Sequence, residues 1–207
     1  MGSDIWEQKQ ALRRQVLAAR DALDAASAAD RSAAICARIM ELHAFESAHT
    51  AMLFASFGSE CSTWELIGRT LEAGKRLVLP AVQGRGRLAL RLVTDVQTDL
   101  VDGTWGIREP GPQCPAVEVG ELDLVLVSGV AFDESGGRLG HGGGYYDCLI
   151  RQAIAAPRPP RIVAAGFELQ VVDRVPVSAH DCPVPVIVTE DRVILAHPTR
   201  QTGGAEL

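Results

Sequence analysis

Apolar residues recur along this chain at two spacings, one helical and one extended, and the two alternate. Residues 4–23 place Leu12, Val16 and Leu23 on one side and Lys9, Arg13, Arg14 and Arg20 on others, which predicts an amphipathic helix. A second helix is expected after the capping pattern Ser27-Ala-Ala-Asp30, with Ile35, Ile39 and Leu42 as its buried stripe. Residues 51–55 read as a buried strand, Ser62 and Glu65 as the capping box of a third helix closed by Gly74, and residues 76–80 as a second strand. That succession is a β-loop-α-β unit. Residues 84–87 form a turn into 88–93, whose alternation of apolar and charged residues suits an edge strand. Further on, residues 123–128 and 161–165 read as buried strands, and 145–156 as a helix with Leu149, Ile150 and Ile154 on one side.

Between residues 123–128 and that last helix lies the most unusual stretch, Gly136-Gly137-Arg138-Leu139-Gly140-His141-Gly142-Gly143-Gly144-Tyr145-Tyr146-Asp147, with six glycines in nine residues. Glycine sacrifices side-chain contacts, so such a run suits backbone that takes positive φ or lies against a ligand. A loop from a strand into a helix start gathers free N–H groups and the positive end of the helix dipole, which attract phosphate. Arg138 adds a charged fork, Tyr145 and Tyr146 add rings, and Asp147 adds a hard oxygen suited to Mg²⁺. A flexible linker would carry the glycines without adjacent tyrosines. Neither G-x-x-x-x-G-K-[ST] nor G-x-G-x-x-G occurs, which excludes a P-loop and leaves a dinucleotide fold unsupported.

Length and charge narrow the field. At 207 residues and 47% hydrophobic content, one α/β domain spanning residues 1–197 is the economical expectation, followed by a disordered tail over 198–207. A net charge of −6 with no long basic run argues against nucleic-acid binding, and no run of 18 apolar residues suggests a membrane span. Cys36, Cys61, Cys114, Cys148 and Cys182 are odd in number, scattered and without C-x-x-C spacing, which predicts reduced thiols in a cytoplasmic protein. Nothing in the pattern specifies an oligomeric state.

The glycine stretch resembles the R-L-G-x-G-[GK]-G-[YF]-Y-D signature of the 5-formyltetrahydrofolate cyclo-ligase (5,10-methenyltetrahydrofolate synthetase) family. The rest of the chain extends the likeness in order: Lys9-Gln-Ala-Leu12-Arg13 near the amino terminus, Phe57 to Glu60, Trp105-Gly-Ile-Arg-Glu-Pro110, His180-Asp181, and Val186 to Glu190. Pro185 departs from the pattern by standing where an aspartate is usual, and His141 stands where relatives carry Arg, Tyr or other residues. The resemblance implies a three-layer α/β/α fold with a largely parallel central sheet. It implies an enzyme that uses ATP and Mg²⁺ to convert 5-formyltetrahydrofolate into 5,10-methenyltetrahydrofolate, ADP and phosphate.

On that resemblance Lys9, Arg13 and Arg138, with Leu139, Gly140, His141, Gly142, Gly143, Gly144, Tyr145 and Tyr146, hold the nucleotide. Phe57, Glu60 and Trp105, with His141 to Tyr145, bind the reduced folate; Tyr145 and Arg138 serve catalysis, and Asp147 and Asp181 hold the metal. Plainer readings stay open from the residues alone. Lys9 and Arg13 share a helix face that solvent would also accept, Glu60 fits a surface loop, Trp105 fits core filling, and an isolated His-Asp pair is often loop structure. A non-catalytic folate- or nucleotide-binding regulator, or a related ATP-dependent enzyme acting on another small molecule, would share the fold.

Overall fold

The computed structural model describes residues 2–196, apart from the side chains of Ser3 and Trp105. The chain opens with helices α1 (Gly2–Asp21), α2 (Ala25–Met40) and the short α3 (His43–Glu46), then strand β1 (Thr50–Met52) and α4 (Trp64–Glu72). A hairpin follows, β2 (Arg76–Val82) and β3 (Leu88–Val93), then a smaller one, β4 (Leu100–Asp102) and β5 (Arg108–Pro110). β6 (Leu124–Val127) leads into a third hairpin, β7 (Ala131–Phe132) and β8 (Arg138–Leu139), before α5 (Tyr145–Ala155), β9 (Arg161–Ala165), β10 (Val186–Val188) and β11 (Val193–Leu195).

Seven strands form one sheet in the order β11-β10-β9-β6-β1-β2-β3. The five inner strands run parallel, and only the edges β3 and β11 pair antiparallel. Alternation along each strand sorts its side chains between two cores. Ala51, Leu77, Leu124 and Val163 point to the face covered by Ile35 and Ile39 of α2 and Leu66 and Ile67 of α4. Their neighbours Met52, Val78, Val125 and Ile162 point the other way, onto Leu149, Ile150 and Ala153 of α5. Helices on both faces leave the parallel strands wholly buried, which is why they read as unbroken apolar runs. This is the expected three-layer α/β/α arrangement.

Four local expectations are corrected. Asp24, not Ser27, caps α2: its Oδ1 accepts from the Ser27 N–H at 2.9 Å, and Ser27 sits inside the first turn. Residue Thr63 precedes α4, and its hydroxyl turns away to the Phe54 carbonyl at 2.6 Å, so no side chain caps that helix and Ser62 forms no capping box. Ile154 is 58% exposed, and the smaller Ala153 fills the core position of α5 beside the sheet. Lastly, β6 does not pass directly into the glycine loop. The β7–β8 hairpin intervenes, and Gly136 and Gly137 form its turn, with the Gly137 N–H donating to Asp133 Oδ1 at 2.9 Å. The ligand loop is therefore the shorter run from Gly140 to Gly144.

The hairpin carries α1. Val16 packs with Val130, Ala131, Leu139 and Val175 in a third core beyond the carboxyl end of β6. The helix thus lies over the strand ends where open α/β sheets bind ligands.

Candidate active site

The carboxyl ends of the parallel strands β1, β2 and β6 border one cleft of about 970 Å³. Its floor is the glycine loop. Gly144, at φ 70, is the left-handed residue that turns the chain into α5, and the ring of Tyr145 lies so close over Gly143 that a side chain there would collide with it. The amino end of α5 and the amides before it consequently face the cleft, a suitable cradle for phosphate oxygens.

Arg138 lies beneath this loop. Its side chain is 2% exposed, Nη2 pairs with Asp147 Oδ1 at 2.9 Å, Nη1 donates to the Ser128 carbonyl at 3.3 Å, and the guanidinium stands 5.7 Å from the centre of the Tyr146 ring. Its buried Nε has no hydrogen-bond partner. The fork supports the loop through Asp147. Leu139, beside it, puts its side chain into the core with Val16 and meets the cleft at its edge.

The helix α1 supplies the wall above. Arg13 Nε donates to the Gly140 carbonyl at 2.7 Å, and Lys9 pairs with Asp181, whose Oδ2 also accepts from the Ser178 hydroxyl at 3.0 Å. Four-residue spacing does bring the two cations to one place, and that place is the glycine loop. Burial pulls the Arg13 pKa down and Asp181 partly restores it. For Asp181, burial pushes upward, but the bonds from Lys9 and Ser178 outweigh it and keep the carboxyl below its usual range.

At the other end of the cleft, Gly58 lets the turn after β1 fold Glu60 back under Phe57, so that Oε2 accepts the Phe57 N–H at 3.3 Å. The Glu60 side chain is only 3% exposed and its Oε1 has no hydrogen-bond partner, although His141 Nε2 stands 3.6 Å away. A buried acceptor without a donor is costly, which marks it as waiting for one. Phe57 and His141 stack obliquely above it with centroids 5.6 Å apart. The Tyr146 hydroxyl is held protonated, first by burial and then by the negative charge of Glu60.

The structure therefore brings together Lys9, Arg13, Arg138, the residues from Gly140 to Asp147, Phe57, Glu60 and Asp181. The backbone of Trp105 lies in a 3₁₀ turn, Thr104–Gly106, next to the cleft residue Ile107, while its side chain and the expected tail lie outside the described residues. Glu109 was not singled out in the sequence although it sits in the same Gly-Ile-Arg-Glu-Pro segment. It is buried at the cleft and accepts the Val82 N–H at 3.2 Å. Trp6 and Arg85 also line the cleft, and no local pattern marks either of them.

Among the described residues no cluster of three or more metal-ligating side chains occurs. Mg²⁺ in nucleotide sites needs fewer, since it keeps waters and takes one or two carboxylates plus phosphate oxygens. Asp147 and Asp181 meet that requirement: both border the cleft, and the N–H of Cys182 donates to Asp147 Oδ1 at 3.0 Å, tying the two segments together. Among the described residues the bonds to Asp147 fall on Oδ1 and those to Asp181 on Oδ2. The thiols play no such part. Burial pushes Cys36 up to about 11 and Cys61 higher still, and all five cysteines are unpaired.

A model of the 5-formyltetrahydrofolate cyclo-ligase family matches residues 5–190. The chain is 36% identical over 159 residues to the 5-formyltetrahydrofolate cyclo-ligase of Escherichia coli K12, covering 75% of this chain and 86% of that one. It is 32% identical over 154 residues to the enzyme of that name from Mycolicibacterium smegmatis, with coverages of 72% and 78%. The NMR structure of Aquifex aeolicus 5,10-methenyltetrahydrofolate synthetase superposes with a TM-score of 0.80 at 31% identity, over 96% of this chain and 97% of that one. With motif order, sheet topology and cleft in agreement, the chain belongs to the 5-formyltetrahydrofolate cyclo-ligase family.

Proposed function

We propose that the protein catalyses the ATP-dependent cyclisation of 5-formyltetrahydrofolate to 5,10-methenyltetrahydrofolate, with release of ADP and phosphate. The observation that carries this reading is the pairing, in one cleft, of the partnerless buried Glu60 Oε1 with a phosphate-type loop. The pterin ring of a reduced folate presents N–H donors on a flat edge. Glu60 accepts from that edge while Phe57 and His141 cover the ring.

The formyl oxygen is a poor leaving group until it is phosphorylated. It takes the γ-phosphoryl group of ATP and ADP departs; N10 of the folate then adds to the formyl carbon, loses its proton, and the C–O bond breaks to release phosphate. The product is an N5–C–N10 amidinium. The protein has little bond chemistry to perform and mainly positions and neutralises. Lys9, Arg13 and the amides from Gly140 to Gly144 hold the triphosphate, Arg138 steadies the loop and Asp147, and Tyr145 borders the reacting formyl group. Asp147 and Asp181 would hold Mg²⁺, which offsets charge on the phosphate oxygens. The unpaired thiols suit a reducing cytoplasm.

Mixing protein, 5-formyltetrahydrofolate, ATP and Mg²⁺ should generate the amidinium absorbance, and omission of ATP should abolish it. Glu60→Gln should raise the KM for folate about tenfold or more while leaving that for ATP unchanged, because the charge-assisted bond it loses is worth about 1.5–3 kcal/mol. Binding of folate and ATP without the chromophore would instead support the non-catalytic regulator, and turnover of ATP with another acceptor a different enzyme.

A further inference from the structure

We infer that the tip of the β2–β3 hairpin forms a subsite for the aminobenzoyl-glutamate end of the substrate, with Arg85 as the residue that binds its carboxylates. This rests on the folate reading above. Three of the cationic side chains bordering the cleft already have partners: Lys9 has Asp181, Arg13 has the Gly140 carbonyl and Arg138 has Asp147. Arg85 lines the same cleft, is exposed, and makes no ion pair or hydrogen bond among the described residues.

Its backbone is held in place. Arg85 lies between Gly84 and Gly86, both at positive φ, and the turn is closed by Gln83 N–H to the Arg87 carbonyl at 2.9 Å. A side-chain carbon at Gly86 would stand in ordinary contact with the Gly143 carbonyl oxygen, 3.7 Å away. The hairpin tip is thus seated against the glycine loop, and Arg85 stands at the mouth of the cleft.

Pro80, Val82, Leu88 and Ile107 give the same cleft an apolar lining. Glu109 belongs to the same lining but turns its carboxylate onto the Val82 N–H, which fastens the Ile107 segment to β2. An apolar lining together with an unpaired guanidinium matches a benzoyl ring ending in glutamate. The ring is flat and uncharged, and the two carboxylates of the glutamate suit the bidentate fork of arginine.

The test compares two substrates that differ only in that tail: 5-formyltetrahydrofolate, and the 5-formyltetrahydropteroyl amide that lacks glutamate. Arg85→Ala should raise the KM for the first about five- to twentyfold, less than a buried charged contact would because solvent screens this one. The KM for the amide, the KM for ATP and kcat should not change, Arg85→Lys should recover most of the loss, and added salt should shrink it. The same KM change on both substrates, or no change on either, overturns the subsite while leaving the folate reading standing. Failure of the parent protein to turn over either substrate removes both. Melting temperatures matching the parent would establish that the variants are folded, as expected for an exposed turn.

Discussion

Asp147 has two duties that a sequence cannot separate. Among the described residues it is the only carboxylate paired with Arg138, whose side chain is 2% exposed, and it is one of the carboxylates bordering the cleft. Removing one partner of a buried pair strands the other, a loss of about 3–5 kcal/mol in the worst case, and less for Asn because its carbonyl can still accept from the Cys182 N–H. Asp147→Asn should therefore melt several degrees lower whatever its part in metal binding, since 1 kcal/mol is worth about 2–4 °C at this size. Stability cannot reveal the metal role. Turnover titrated against Mg²⁺ does: the curve should move to higher concentration, and an unmoved curve would sink the assignment while leaving the Arg138 pair intact.

The β7–β8 hairpin is the element that holds the cleft together, and one carboxylate organises it. Asp133 accepts from the N–H groups of Ser135 and Gly137 at 2.9 Å and of Val175 at 2.8 Å, and from the Ser135 hydroxyl at 2.6 Å. Burial alone would push its pKa up, yet these bonds hold it below the usual carboxylate range. The hairpin then packs through Ala131 and Leu139 on Val16, so the turn and α1 stand or fall together. Asp133→Ala orphans two buried N–H groups, those of Gly137 and Val175, and should lose about 2 kcal/mol or more. Hydrogen exchange at Gly137 and Val175 should accelerate ahead of exchange in the central strands β1 and β6. Equal protection of those amides in the variant and the parent would show that the turn does not depend on Asp133.

For the molecule as a whole, acid should be the weak direction. Asp133, Asp181, Glu168 and Asp123 all have folded pKa values below their ordinary ones, the upward push of burial being outweighed by hydrogen bonds and neighbouring cations. A carboxyl depressed in the folded state contributes stability that is present above its unfolded pKa, about 3.9 for Asp and 4.3 for Glu, and lost as pH falls through the folded value. Melting temperature should hold from about pH 8 to 5 as far as these groups decide it, then fall steeply below about pH 4. Asp133→Asn, already weaker at neutral pH, should show the shallower acid slope. An equal slope would mean that other carboxyls dominate.

Runs such as Leu124–Val127 and Arg161–Ala165 determined the buried strands by themselves, because a strand covered on both faces has no polar side to disguise it. Glycines locked to tyrosines and an aspartate likewise marked the loop that lines the cleft before any coordinates, since their use is local: positive φ, a helix start and close approach. What only the tertiary structure decided depends on partners distant in sequence. That Arg138 is buried against Asp147 and the Ser128 carbonyl, that Asp24 and not Ser27 caps α2, and that Ile154 faces solvent follow from the way elements pack. Arg85 carries no local signal of the cleft, and Glu109 only that of the segment in which it sits. They reach the cleft because two hairpins fold over the strand ends, and a residue's distance from a ligand is set by such folding, not by its neighbours in the chain.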